Sequence, residues 1–128
     1  VKVEVSTAIE ELKRQFAASA LTVREDGQGG AYVLMESIDL GARYQPSTTW
    51  IGFQIPAQYP YADIYPIFIS ADIARADGTG FQAPVTPGHQ FEGRAAIQIS
   101  RRSAAAQSGS QKAVAKILKI LDFLERLQ

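Results

Sequence analysis

The stretch Trp50-Ile51-Gly52-Phe53-Gln54-Ile55-Pro56-Ala57-Gln58-Tyr59-Pro60-Tyr61-Ala62-Asp63-Ile64-Tyr65-Pro66-Ile67-Phe68-Ile69-Ser70-Ala71 decides how this chain is read. Trp50, Ile51, Phe53 and Ile55 form an aromatic and β-branched run that predicts a strand, and Pro56 ends it because proline cannot donate to a ladder. Tyr59-Pro60 and Tyr65-Pro66 then mark a turn, since each proline biases the residue before it toward extended backbone. Ile67, Phe68 and Ile69 predict a second strand.

Outward from that stretch, the chain reads as one α+β domain over residues 1–128. Thr7-Ala8-Ile9-Glu10 has the spacing of a helix start capped by Ser6 or Thr7. Ile9, Leu12 and Phe16 share a helical face, with Glu10, Glu11, Lys13 and Arg14 toward solvent and an end expected near Ala20. Leu21 to Arg24 and Ala31 to Leu40 predict a hairpin about the glycines of 27–30. Those glycines are not followed by Lys-Ser/Thr and do not make a phosphate loop. Residues 41–49 predict a loop, and Ala71 to Phe91 an irregular segment broken by Asp77-Gly78, Gly80, Pro84, Pro87 and Gly88. At the far end, Ser110 is placed to cap a helix with an apolar stripe of Val114, Ile117, Leu118, Leu121 and Leu124. Lys112, Lys116 and Lys119 are expected on its wet side, while Ile120, Phe123 and Leu127 widen the apolar band toward a partner or a deep packing position.

Composition removes several classes of function. No cysteine is present, so disulfides, thiolate metal sites and thiol catalysis are excluded. The acids Asp63, Asp72 and Asp77 lack a ligand spacing, and no metal is expected. Apolar runs fall short of the roughly 18 residues a membrane span needs, and the first residues show no signal-peptide pattern, so the expected compartment is the cytoplasm. Net charge is zero, but Lys and Arg outnumber Asp and Glu by 7 to 3 in residues 91–128. That surplus is too small for a nucleic-acid stripe.

The residues that invite chemistry lie between 89 and 103. His89 is the only histidine and precedes Gly93; Ile97-Gln98-Ile99-Ser100-Arg101-Arg102-Ser103 follows. A strand closing on Phe53-Gln54-Ile55-Pro56, then Tyr-Pro, then a second proline before Ile-Phe-Ile, resembles the ubiquitin-conjugating enzyme fold. With the Ser-Arg-Arg triplet before the last helix, the chain resembles the bacterial branch known as the prokaryotic ubiquitin-conjugating-like family E. The resemblance implies an N-terminal helix, a four-stranded antiparallel meander and a C-terminal helix packed on the sheet. It also implies partners, a ubiquitin-like protein and its adenylating activating enzyme, no cofactor, and a place in an antiphage defence pathway.

The departures from that family are specific. Counting from Gly93 without a gap puts Ala96 where conjugating enzymes carry cysteine, and the chain has no asparagine to match the family's oxyanion support. A second tryptophan after the triplet is also missing. One reading is acyl transfer through a serine oxyester, with Ser100 as acceptor, Arg101 stabilising the oxyanion or holding the partner's tail, and His89 as base or packing residue. Ser103 is the alternative acceptor, with Arg102 as a further binding group and Gln98 or Gln90 as an amide donor. Against that stands a catalytically inactive binding module of the same fold. A serine hydroxyl is barely ionised at neutral pH and needs a base or strong electrostatic help to attack.

Overall fold

The computed structural model describes residues 1–102 and 112–127. Helix α1 (Val3–Gln15) is followed by strands β1 (Leu21–Glu25), β2 (Ala31–Asp39), β3 (Tyr44–Gln45), β4 (Thr48–Ile55), β5 (Ile67–Ser70), β6 (Ala74–Arg75), β7 (Val85–Phe91) and β8 (Arg94–Ile99), and then by helix α2 (Ala113–Arg126). The class is α+β, as expected. Six strands make one antiparallel sheet in the order β1-β2-β4-β5-β8-β7, and β3 pairs with β6 in a second, two-stranded sheet.

The four expected strands are β1, β2, β4 and β5, neighbours in chain order. The sheet is wider than four strands because the segment expected to be irregular supplies the edge strand β7, which joins through β8 to β5, while β6 pairs with β3 in the second sheet. Pro87-Gly88 hid β7 from sequence reading. The β7–β8 register slips between Thr86 and His89, with Gly88 at φ 86°, so the two residues that break the alternation sit in a bulge. At a sheet edge a proline removes no ladder bond that the fold needs.

One side of the sheet is the core. Ile51 and Phe53 of β4, Ile67 and Ile69 of β5, and Ile99 of β8 have no exposed surface, and they meet Val5 and Leu12 of α1 and Ile117 of α2. The two helices also lie against each other. Alternation sends every second residue to the other face. There Leu34, Trp50, Phe91 and Ala96 form a separate buried cluster with Tyr32 and Phe68 at its margin.

Helix boundaries differ from those expected. Ser6 and Thr7 lie inside α1, which starts a turn earlier after Lys2, whose N–H donates to the Gly29 carbonyl at 3.0 Å. The helix ends at Gln15 rather than near Ala20, because Ser19 and Ala20 already belong to the approach to β2: Ser19 Oγ donates to the Glu36 carbonyl at 2.6 Å and the Glu36 N–H donates to Ala20 at 3.0 Å. Ser110 falls outside the described residues. The N-terminal position flanking α2 is Lys112.

Helix α2 is rotated from the expected stripe. Ala113, Lys116, Ile117, Ile120 and Leu124 face inward, while Leu118 is 43% exposed. Lys116 is therefore not on the wet side. Its ammonium reaches a carboxylate and a backbone carbonyl inside the fold, and those partners allow the helix to turn this face to the sheet.

Candidate functional site

The local geometry is built from both ends of α2. At the N-terminal end the proline turn supplies the partners. Tyr59 Oη accepts the Ala113 N–H at 2.9 Å, satisfying a donor that the helix start leaves without an intrahelical partner. Asp63 Oδ2 accepts from Lys116 Nζ at 3.1 Å, and the Arg101 carbonyl accepts from the same ammonium at 2.8 Å. The side chains of this ion pair are only 2% and 6% exposed. Burial lowers the Lys116 pKa below its ordinary value, opposed by the hydrogen bond and charge of Asp63.

At the C-terminal end, β3 and β6 bring Tyr44 and Arg75 opposite each other. The Tyr44 hydroxyl donates to the Leu124 carbonyl, and the Arg43 guanidinium donates to the carbonyls of Glu125 and Leu127. Arg75 also donates to Leu127, at 3.3 Å. Cations there satisfy the last carbonyls and oppose the negative end of the helix dipole. Burial raises the Tyr44 phenol pKa, with Arg75 and Arg43 acting the other way.

Strand β8 leads into the Ser-Arg-Arg triplet and splits it between two faces. Ile97 and Ile99 point into the core, so Gln98 and Ser100 belong to the opposite side. Gln98 Nε2 donates to Ser100 Oγ at 2.7 Å, and the Ser100 N–H donates to the Pro84 carbonyl at 2.8 Å. Ser100 is half-buried. Arg101 turns toward α2, its guanidinium 4.6 Å from the centre of the Phe123 ring, and Arg102 lies 3.9 Å over the Tyr65 ring. Ser103 lies outside the described residues.

His89 is not beside Ser100. Its Cα partner across the ladder is Ala96, four residues before Ser100, a separation of about 13 Å along a strand. Its Nε2 is 3.2 Å from Thr86 Oγ1, so the imidazole spans the β7 bulge. The expected set of Ser100, Arg101 and His89 is therefore brought together only in part: Gln98 and Ser100 touch, Arg101 and Arg102 are neighbours on the α2 side, and His89 stands apart.

Among the described residues a broad concavity lies along α2. A groove of about 1030 Å³ is lined by Arg101, Arg102, Arg75, Lys119 and Arg126, by Asp77 and Asp122, and by the apolar Ile120, Phe123 and Leu127. Ser100 does not line it. Arg126 Nε pairs with Asp122 at 2.9 Å, and Thr79 donates its hydroxyl to Asp77 at 2.6 Å, which lowers the Asp77 pKa. Phe123 and Leu127 are thus accounted for by the groove and the core margin, whereas Ile120 is almost wholly buried.

Sequence reading missed Lys116, Asp63, Arg75 and Tyr44. A signal for Lys116 was present, since it lies three residues after Ala113 and four before Ile120 on one helical face. None existed for Asp63 or Arg75, which act across long sequence separations. Among the described residues no group of His, Asp or Glu side chains is arranged to hold a metal ion, and no helix is long and apolar enough to cross a membrane. Comparison of the chain with protein-family models, curated proteins and solved structures finds no match.

Proposed function

We propose that this chain is a binding module with the architecture of the ubiquitin-conjugating fold, docking a ubiquitin-like protein or its adenylating enzyme along the groove beside α2. One observation carries the reading: Ser100 faces away from the groove and stands about 13 Å along the strand from His89. Among the described residues no base or guanidinium is hydrogen-bonded to the hydroxyl, as acyl transfer asks for, while Arg101 and Arg102 line the groove. The helix, the four strands adjacent in chain order and the final helix accord with the Tyr-Pro resemblance. On this reading the protein acts in the cytoplasm of a bacterium, within a defence-associated modification pathway.

A second reading is favoured by the 2.7 Å bond from the Gln98 amide to Ser100 Oγ. An amide donor steadies negative charge on that oxygen. Ser100 Oγ would bond to the terminal carbonyl carbon of the activated ubiquitin-like protein, its proton passing to water as the activating enzyme's leaving group departs.

Reconstitution with ATP, an adenylating enzyme and its ubiquitin-like protein separates the two. The binding module gives a complex by size-exclusion chromatography and no covalent adduct by mass spectrometry. A hydroxylamine-sensitive adduct that disappears in Ser100→Ala would replace it with the transferase, and absence of both complex and adduct would reject both.

A further inference from the structure

We infer that the groove beside α2 takes an acidic peptide segment carrying an apolar side chain, rather than a small anion. This rests on reading that groove as a docking surface, and it names the chemistry of the occupant. Five cationic side chains and two carboxylates line the groove, an excess of three positive charges in a chain whose formal net charge is zero. Residues 103–111 carry no charged side chain and add nothing to that charge balance.

Arg101 and Arg102 are already oriented. Their Cζ atoms lie over the Phe123 and Tyr65 rings, at 4.6 and 3.9 Å from the ring centres. A cation held over a ring face by the ring's quadrupole keeps N–H groups to donate, so both arginines can engage carboxylates without giving up their rings. Lys119 and Arg126 extend the positive surface along the helix.

Two features favour a peptide over phosphate. Asp77 and Asp122 interrupt the cations, so a compact dianion would meet repulsion that single carboxylates spaced along an extended chain avoid. Phe123 and Leu127 also give the groove an apolar floor, and a volume of about 1030 Å³ far exceeds what one anion fills.

Fluorescence anisotropy with a labelled peptide of Glu, Gly and Leu tests this, using the same peptide with Gln for Glu, the same peptide with Gly for Leu, and inorganic phosphate as competitor. The Glu peptide binds; the Gln and Gly versions bind at least about tenfold more weakly, and affinity falls with added salt. Arg102→Glu with Lys119→Glu, both exposed positions, weakens the Glu peptide by a further order of magnitude while the circular dichroism spectrum stays that of the folded protein. Equal binding of Glu and Gln peptides, indifference to charge reversal, or displacement by phosphate at concentrations similar to the peptide overturns the inference. Peptide binding without capture of a ubiquitin-like protein or its enzyme would leave the groove chemistry standing and remove the proposed function. Capture of such a partner with no binding of the Glu peptide would do the reverse.

Discussion

The ring of Phe91 lies directly on the backbone of Gly52. A Cβ at position 52 would fall 2.5 Å from two carbons of that ring, and the same ring stacks on Phe68 at 5.3 Å and Trp50 at 6.1 Å between centroids. Phe91 ends β7, and the turn after it runs through Glu92 and Gly93, both at positive φ. The hairpin tip reaches the first strands of the sheet, with Arg24 gripping Glu92 through two bonds of 2.8 and 2.9 Å and Arg94 reaching Glu36 at 3.1 Å. Gly52 is what lets an aromatic residue from one edge of the sheet close over its outer face.

Gly52→Ala is expected to lower stability by about 1–3 kcal/mol, the usual range for overpacking. Combining it with Phe91→Leu should cost less than the two single losses added together, because the clash has gone. Urea unfolding of the three variants measures this, and strict additivity would show that position 52 is sensitive for another reason.

The pair of Glu92 with Arg24 has a pH signature. The hydrogen bond from Arg24 holds the Glu92 pKa below its ordinary value of 4.5, chiefly, with the guanidinium charge adding to it. As pH falls through 4.5 the unfolded chain takes up this proton before the folded chain does. The stability from the pair is therefore present above that value and is lost as pH drops through the folded pKa. NMR titration should find Glu92 below 4.5, and Arg24→Gln should return it toward that value.

Removing the carboxylate from the buried pair should be costly. Asp63→Ala leaves the Lys116 ammonium inside the fold without its counter-charge, and losses of about 3–5 kcal/mol are typical of such a change. Asp63→Leu with Lys116→Met should recover most of it, since an apolar pair needs no compensating charge. A single-variant loss under about 1 kcal/mol in chemical unfolding would mean that the ammonium escapes to water.

The end of α2 gives a local test. Tyr44→Phe removes the hydroxyl that donates to the Leu124 carbonyl in a buried position and leaves that carbonyl the 3.4 Å bond from the Leu127 N–H, a loss of about 0.5–1.5 kcal/mol. Hydrogen exchange should accelerate in the last turn of α2 more than in β4. Uniform acceleration across the chain would instead indicate that the clamp supports the whole fold.

The sequence by itself determined where regular structure forms wherever the signal is local. The β-branched and aromatic runs located β2, β4 and β5, the glycine turn joined β1 to β2, and the apolar repeat after residue 112 announced a helix. It also brought Gln98 and Ser100 to one face, because strand alternation follows from the backbone alone. Tertiary structure decided the rest. Pro87-Gly88 reads as a break until the sheet makes β7 an edge strand, and the two-residue strands β3 and β6 exist only as each other's partners. Whether His89 meets Ser100 depends on ladder register, and which face of α2 turns inward depends on a carboxylate fifty-three positions earlier in the chain. Such choices are made by contacts between distant segments, whose energies no local pattern of residues records.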